Sequence, residues 1–127
     1  MENKHNVYLF GVYDSTGTIR AIKVGETNRT VEVRRQEVQR HANKSPQAYN
    51  KGLHVTLAYV ETDGIDGGKA MESGVHKLIQ EMYSDIVRFP HSKDYFNIPY
   101  GMDEKVLIRR FDKCAKEYGK RNEQKCI

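Results

Sequence analysis

Two runs of β-forming residues, separated by a short cluster of turn formers, constrain this chain more than any other feature. Residues 6–13 (Asn-Val-Tyr-Leu-Phe-Gly-Val-Tyr) are rich in β-branched and aromatic types. Residues 19–25 (Ile-Arg-Ala-Ile-Lys-Val-Gly) resume that pattern after Asp14-Ser15-Thr16-Gly17-Thr18. So short a connection can join neighbouring strands only in antiparallel fashion, since a parallel return needs a crossover of roughly a dozen residues or more. An antiparallel hairpin ending at Gly25 is expected, and the rest of the chain must pack on it.

Thr27 or Thr30 can cap a helix over about residues 30–42, with Glu32 in its first turn and Val31, Arg35, Val38 and Ala42 along one stripe. A polar loop over residues 43–52 leads to a third strand at 53–61, which Asp63-Gly64-Ile65-Asp66-Gly67-Gly68 should break. A second helix fits residues 69–83, where Met71, Val75, Leu78 and Met82 recur at helical spacing. Residues 88–97 read as an irregular loop entering a short strand, Tyr95-Phe96-Asn97-Ile98. Asp103 caps a third, basic helix running to about residue 118, with Leu107, Phe111, Cys114 and Tyr118 as its apolar stripe. The tail after Gly119 is expected to fray. The order β-β-α-β-α-β-α gives an α/β (α+β) fold, a small mixed or antiparallel sheet of three to four strands flanked by about three helices. The 127 residues fit one domain, with no repeat or linker to divide them.

Composition narrows the functions. No apolar run approaches the roughly 20 residues of a membrane span, and Met1-Glu2-Asn3-Lys4-His5 has no signal-peptide pattern. Cys114 and Cys126 both sit near the C-terminus and cannot staple the fold, so a reduced, cytoplasmic setting is expected. His41, His54 and His91 show no Cys/His spacing of a zinc site and are not read as ligands. Lys and Arg outnumber Asp and Glu by 21 to 17, a net charge of +4 that leans toward polyanions. Arg29, Arg34, Arg35, Arg40 and Lys44 crowd one segment, and a second basic run spans Lys105 to Lys125. Both are candidate phosphate-contacting surfaces, together with Arg88 and Lys93.

An ordered set of short motifs carries further meaning. Asn6-Val7-Tyr8 opens the hairpin and Lys23-Val24-Gly25 closes it, followed by Glu26-Thr27. Arg34 follows in Thr30-Val31-Glu32-Val33-Arg34-Arg35, then Glu72 in Ala70-Met71-Glu72-Ser73-Gly74-Val75-His76, then Arg88 and Lys93-Asp94-Tyr95-Phe96-Asn97-Ile98. In this order the chain resembles the GIY-YIG nuclease superfamily over about residues 6–99, in the phage and bacterial branch with a KIG-type second motif. Lys23 stands where the second motif has tyrosine. Two tyrosines fit the first motif, Tyr8 and Tyr13; hairpin register favours Tyr8, which should lie opposite residues near Gly25, beside Lys23, while Tyr13 lies opposite Arg20 near the turn.

The resemblance implies a phosphodiester-hydrolysing endonuclease with Tyr8, Lys23, Arg34, Glu72 and His76 as catalytic residues. Glu72 would hold Mg2+ or Mn2+, a hard cation that keeps most of its waters and polarises the phosphate. Arg34 offers a planar, permanently charged fork for a non-bridging oxygen; it is preferred to Arg35, which lies on the apolar stripe and can snorkel over the core. Tyr8 would take the proton of the attacking water, helped by Lys23. His76, four residues after Glu72, shares its helix face and could orient it; Asn97 could do the same from its strand. DNA is the expected partner, no motif separates it from RNA, and no membrane association is expected. Cutting both strands would need a homodimer or two visits.

Overall fold

A computed structural model describes residues 4–47 and 51–125, so Met1-Glu2-Asn3 and Cys126 lie outside the described residues. Strands β1 (Lys4–Tyr13) and β2 (Ile19–Thr27) form the expected hairpin. Its turn is held by the Asp14 carboxylate, which accepts from the Thr16 and Thr18 amides at 2.9 and 3.1 Å. Gly17 has φ of 81°, a left-handed conformation that glycine takes without steric penalty.

Thr30 caps helix α1 (Val31–Lys44) by accepting from the Val33 amide. Strand β3 (Leu53–Asp63) then pairs with β1, and helix α2 (Gly64–Met82) follows. Two short strands, β4 (Val87–Arg88) and β5 (Tyr95–Asn97), lead to helix α3 (Glu104–Lys125). The sheet runs β3-β1-β2-β5-β4, and all its pairings are antiparallel. It thus has five strands, one beyond the expected range, because β4 falls inside the stretch read as loop and is only two residues long.

Helices cover both faces. Val38 of α1 buries with Tyr8 and Phe10 on one face, while α2 and α3 bury Met71, Val75, Leu78, Leu107, Phe111 and Cys114 against Val7, Leu9, Ile22 and Val24 on the other. Central strand β1 therefore reads as an unbroken apolar run, its Val7, Tyr8, Leu9 and Phe10 all fully buried.

Two element boundaries depart from expectation. Helix α2 begins at Gly64 rather than residue 69, inside the glycine-rich segment expected to break the chain. Gly68 within that segment answers a need for space rather than for a turn: a methyl there would stand 2.8 Å from the His5 Cβ of β1. Helix α3 continues past Gly119 to Lys125 instead of fraying. Arg121 pairs with Glu117 one turn back and with Glu81 of α2, which ties this last stretch to the body.

Candidate functional site

Sheet register arranges the motif residues in rows on the face covered by α1. Tyr8 lies opposite Gly25, Phe10 opposite Lys23, and Lys23 opposite Tyr95 across β2. Tyr13 lies opposite Ile19, not Arg20, because a bulge between Val12 and Tyr13 leaves Arg20 unpaired and turns Tyr13 toward the α2–α3 face. The Tyr8 ring stacks on Phe10 with centroids 4.0 Å apart and lies flat over Gly25. A methyl there would overlap the Tyr8 hydroxyl and stand 2.5 Å from its Cζ, so the motif's last position needs glycine for space.

Lys23 is buried, which sets it apart from the lysines an edge strand exposes freely. Its Nζ pairs with Asp94 at 3.2 Å and sits 5.5 and 5.4 Å from the ring centroids of Tyr8 and Tyr95. Arg34 projects from α1 to this same cluster, with its side chain one-third exposed. The Tyr8 hydroxyl is buried beside the Arg34 guanidinium, close enough to raise the Arg34 pKa, although neither it nor Arg34 Nε makes a hydrogen bond of good geometry among the described residues. Burial works against the Arg34 charge, yet the neighbouring Tyr8 phenol, Glu37 and Asp94 outweigh it and hold the guanidinium firmly protonated. Arg35 points elsewhere, donating to the His54 carbonyl at 3.2 Å and pairing with Glu32, so it ties α1 to β3.

Glu72 and His76 approach from the opposite layer, on α2. The two layers meet at the outer edge of β2, because β5 pairs with β2 only as far as Lys23 and, among the described residues, leaves Val24–Thr27 without a strand neighbour on that side. Other groups take up the open backbone. The Val24 amide donates to the Asp94 carbonyl at 3.0 Å, and His76 Nε2 donates to the Val24 carbonyl at 2.7 Å. Glu72, His76 and Asp94 each offer a ligand atom, and those atoms lie within 4.8 Å of one another.

The electrostatics of this edge are unusual. Burial, then the nearby Asp94 and Glu26 carboxylates, push the Glu72 carboxyl up to about 7 against the opposing pull of Lys23 and the Glu26 amide. Burial likewise lowers the His76 pKa, so its imidazole is neutral, and with Nε2 donating to Val24 the lone pair sits on Nδ1. Two crowded carboxylates and a neutral imidazole oriented through a backbone carbonyl are a donor set that suits a divalent cation. Asp94 also bears on Arg34, so it links the groups of both layers.

Clefts open on either side of this edge. One, of about 640 Å³, is lined by Glu72, His76, Asp94, Arg88 and Lys93, the last two exposed. The other, of about 380 Å³, is lined by Arg29, Arg34, Glu26, His5 and Lys69. Arg40 and Lys44 are exposed on α1, and neither lines these clefts. Three cations of the basic run on α3 are locally neutralised, through Arg110–Asp85, Lys116–Asp112 and Arg121–Glu117. Asn97 does not orient Glu72: it pairs across from Ala21, further along β2 toward the turn.

Sequence reading overlooked Asp94, Glu26 and His5. Asp94 directly precedes the Tyr95-Phe96 pair that begins β5, a position that could have marked it. Glu26 accepts a hydrogen bond from Nδ1 of buried His5 at 2.9 Å, and nothing local in the sequence points to that pair.

No protein of curated function and no solved structure matches the chain. Among the described residues, no helix is long and apolar enough to cross a membrane. A family match, in contrast, runs over residues 6–118 and so takes in the hairpin, the β2 edge and α2 with most of α3. The chain belongs to the T5orf172 domain family, a phage-associated family of nuclease-like type.

Proposed function

We propose that this protein is an endonuclease of the GIY-YIG type that hydrolyses phosphodiester bonds in DNA with the help of Mg2+ or Mn2+. The observation that carries this reading is the meeting of Glu72, His76 and Asp94 within 4.8 Å of one another beside the buried Lys23. Glu72, His76 and Asp94 would hold the cation, which when bound polarises the phosphate and stabilises the departing oxygen. Arg34 and Lys23 bind non-bridging oxygens of the scissile phosphate, and their charge counters what develops there. Tyr8, buried beside the Arg34 guanidinium and the Lys23 ammonium, acts as the phenolate: it positions the attacking water and takes its proton. Arg88 and Lys93 bind flanking phosphates along the wider cleft.

A plasmid-nicking assay tests the proposal. Nicking should require Mg2+ or Mn2+, stop on chelation, and fall by at least ~10²-fold in Arg34→Ala, the typical loss for a positioned charge donor. Glu72→Ala should abolish it with the circular dichroism spectrum unchanged. A Glu72→Ala protein that nicks at wild-type speed would remove the site assignment. A wild-type protein that binds DNA without nicking under any metal would leave a silent DNA-binding module.

A further inference from the structure

The rows that build the site continue along the sheet. Two residues from Lys23 toward the turn, Val12, Ala21 and Asn97 are consecutive cross-strand partners on β1, β2 and β5. Alternation puts this row on the same face as Phe10, Lys23 and Tyr95. The row floors a pocket of about 560 Å³, in the range that holds small organic ligands. Phe89 forms an aromatic wall, packed with Val12, Ala21 and Tyr95 in one apolar cluster. Arg20 and Lys51 stand at its mouth. Asp14 is the acid among the lining residues, and its carboxylate is already engaged by Thr16, Thr18 and Arg20.

Resting on the nuclease reading above, we propose that this pocket receives the base of an unpaired deoxynucleotide adjacent to the scissile phosphate, which makes single-stranded DNA the preferred substrate at the cut. An apolar floor with one aromatic wall suits a base face, and Asn97 can pair with a base edge. Lys51, the lining cation not tied to Asp14, suits the backbone beside the base. The pocket is concave, so a base can enter it only after leaving the stack and its pairing partner, a cost that is least for a nucleotide already single-stranded.

The test uses full-length protein carrying Glu72→Gln, so that binding is read without cleavage. Fluorescence anisotropy is measured with a labelled single-stranded oligonucleotide and with the same sequence as a blunt duplex. Single-strand affinity should exceed duplex affinity by about tenfold. Asn97→Ala and Phe89→Leu, each added separately, should erase most of that preference and leave duplex binding unchanged. Phe89→Leu retains apolar volume and removes only the ring, and Asn97 is exposed, so a folding defect does not mimic the result. Equal affinity for the two DNAs, or variants that keep the parent's preference, would overturn the pocket assignment. Cleavage by the protein without Glu72→Gln is read separately. Its absence, alongside a pocket-dependent preference, would refute the nuclease reading and leave the pocket standing.

Discussion

Replacing Gly25 by alanine tests the packing on which Tyr8 depends. Gly25 does not have a positive φ, so the substitution meets no backbone penalty and its effect is purely one of space. The new methyl would overlap the Tyr8 hydroxyl and stand 2.5 and 3.0 Å from Cζ and Cε1, where ordinary contact begins near 3.4 Å. The ring must therefore move by about 1 Å, but it is fully buried, stacked on Phe10 and faced by the Lys23 ammonium. Overpacking of this kind costs ~1–3 kcal/mol, and the stiffer unfolded chain returns ~0.4–1 kcal/mol. The net loss should be about 1–2 kcal/mol, read by urea denaturation as a lower midpoint at unchanged slope. In a Tyr8→Ala background the clash is gone, and Gly25→Ala should become neutral or slightly stabilising. Full stability of Gly25→Ala with Tyr8 in place, or an equal loss in both backgrounds, would show that the phenol does not lie over Gly25.

Asp94→Asn removes the carboxylate from the buried Lys23 ammonium. Because the Asp94 side chain is 38% exposed, the loss should stay near 1–2 kcal/mol, below that of a fully buried pair, and Lys23→Met in the same background should recover it in a urea melt. His54 is buried and neutral, with burial lowering its pKa from 6.5 to about 4. The unfolded chain takes up a proton first as pH falls, so this contribution is complete above pH 6.5 and is lost progressively toward pH 4, by up to about 3 kcal/mol. Thermal melts of His54→Gln should lack that part of the acid slope; an identical slope would rule His54 out as its source. Arg88→Ala and Lys93→Ala should each weaken DNA binding uniformly across sequences and reduce the salt slope by about 1. Unchanged slopes would place the phosphates elsewhere.

Local chemistry made most of the architecture readable. The turn set the hairpin's register closely enough to place Tyr8 near Gly25, though one residue off at Tyr13, and the stripes of α1, α2 and α3 bury the faces expected of them. What escaped was decided by contacts distant in sequence. Strand β4 has two residues and exists only because β5 is there to pair with it. Gly68, which looks like a chain breaker, lies inside helix α2 and is glycine because His5, some sixty residues earlier, leaves no room for a side chain. Within the site, the four-residue spacing of Glu72 and His76 showed that they share a helix face. Their meeting with Asp94 depends on the β2–β5 pairing, which no periodicity encodes. Arg34 and Arg35 differ by a quarter turn of helix, enough to send one toward Tyr8 and the other to the His54 carbonyl.

The early end of the β2–β5 ladder has a consequence for handling the protein. An exposed run of unpaired backbone amides and carbonyls is a template onto which a foreign strand can add. At Val24 that template is plugged by His76 and by the Asp94 carbonyl. The imidazole thus covers an open acceptor on the sheet edge as well as lining the site. Stripping it in His76→Ala uncovers the Val24 carbonyl for capture by a second chain, and the variant should scatter light increasingly with concentration while its monomeric fraction keeps its fold.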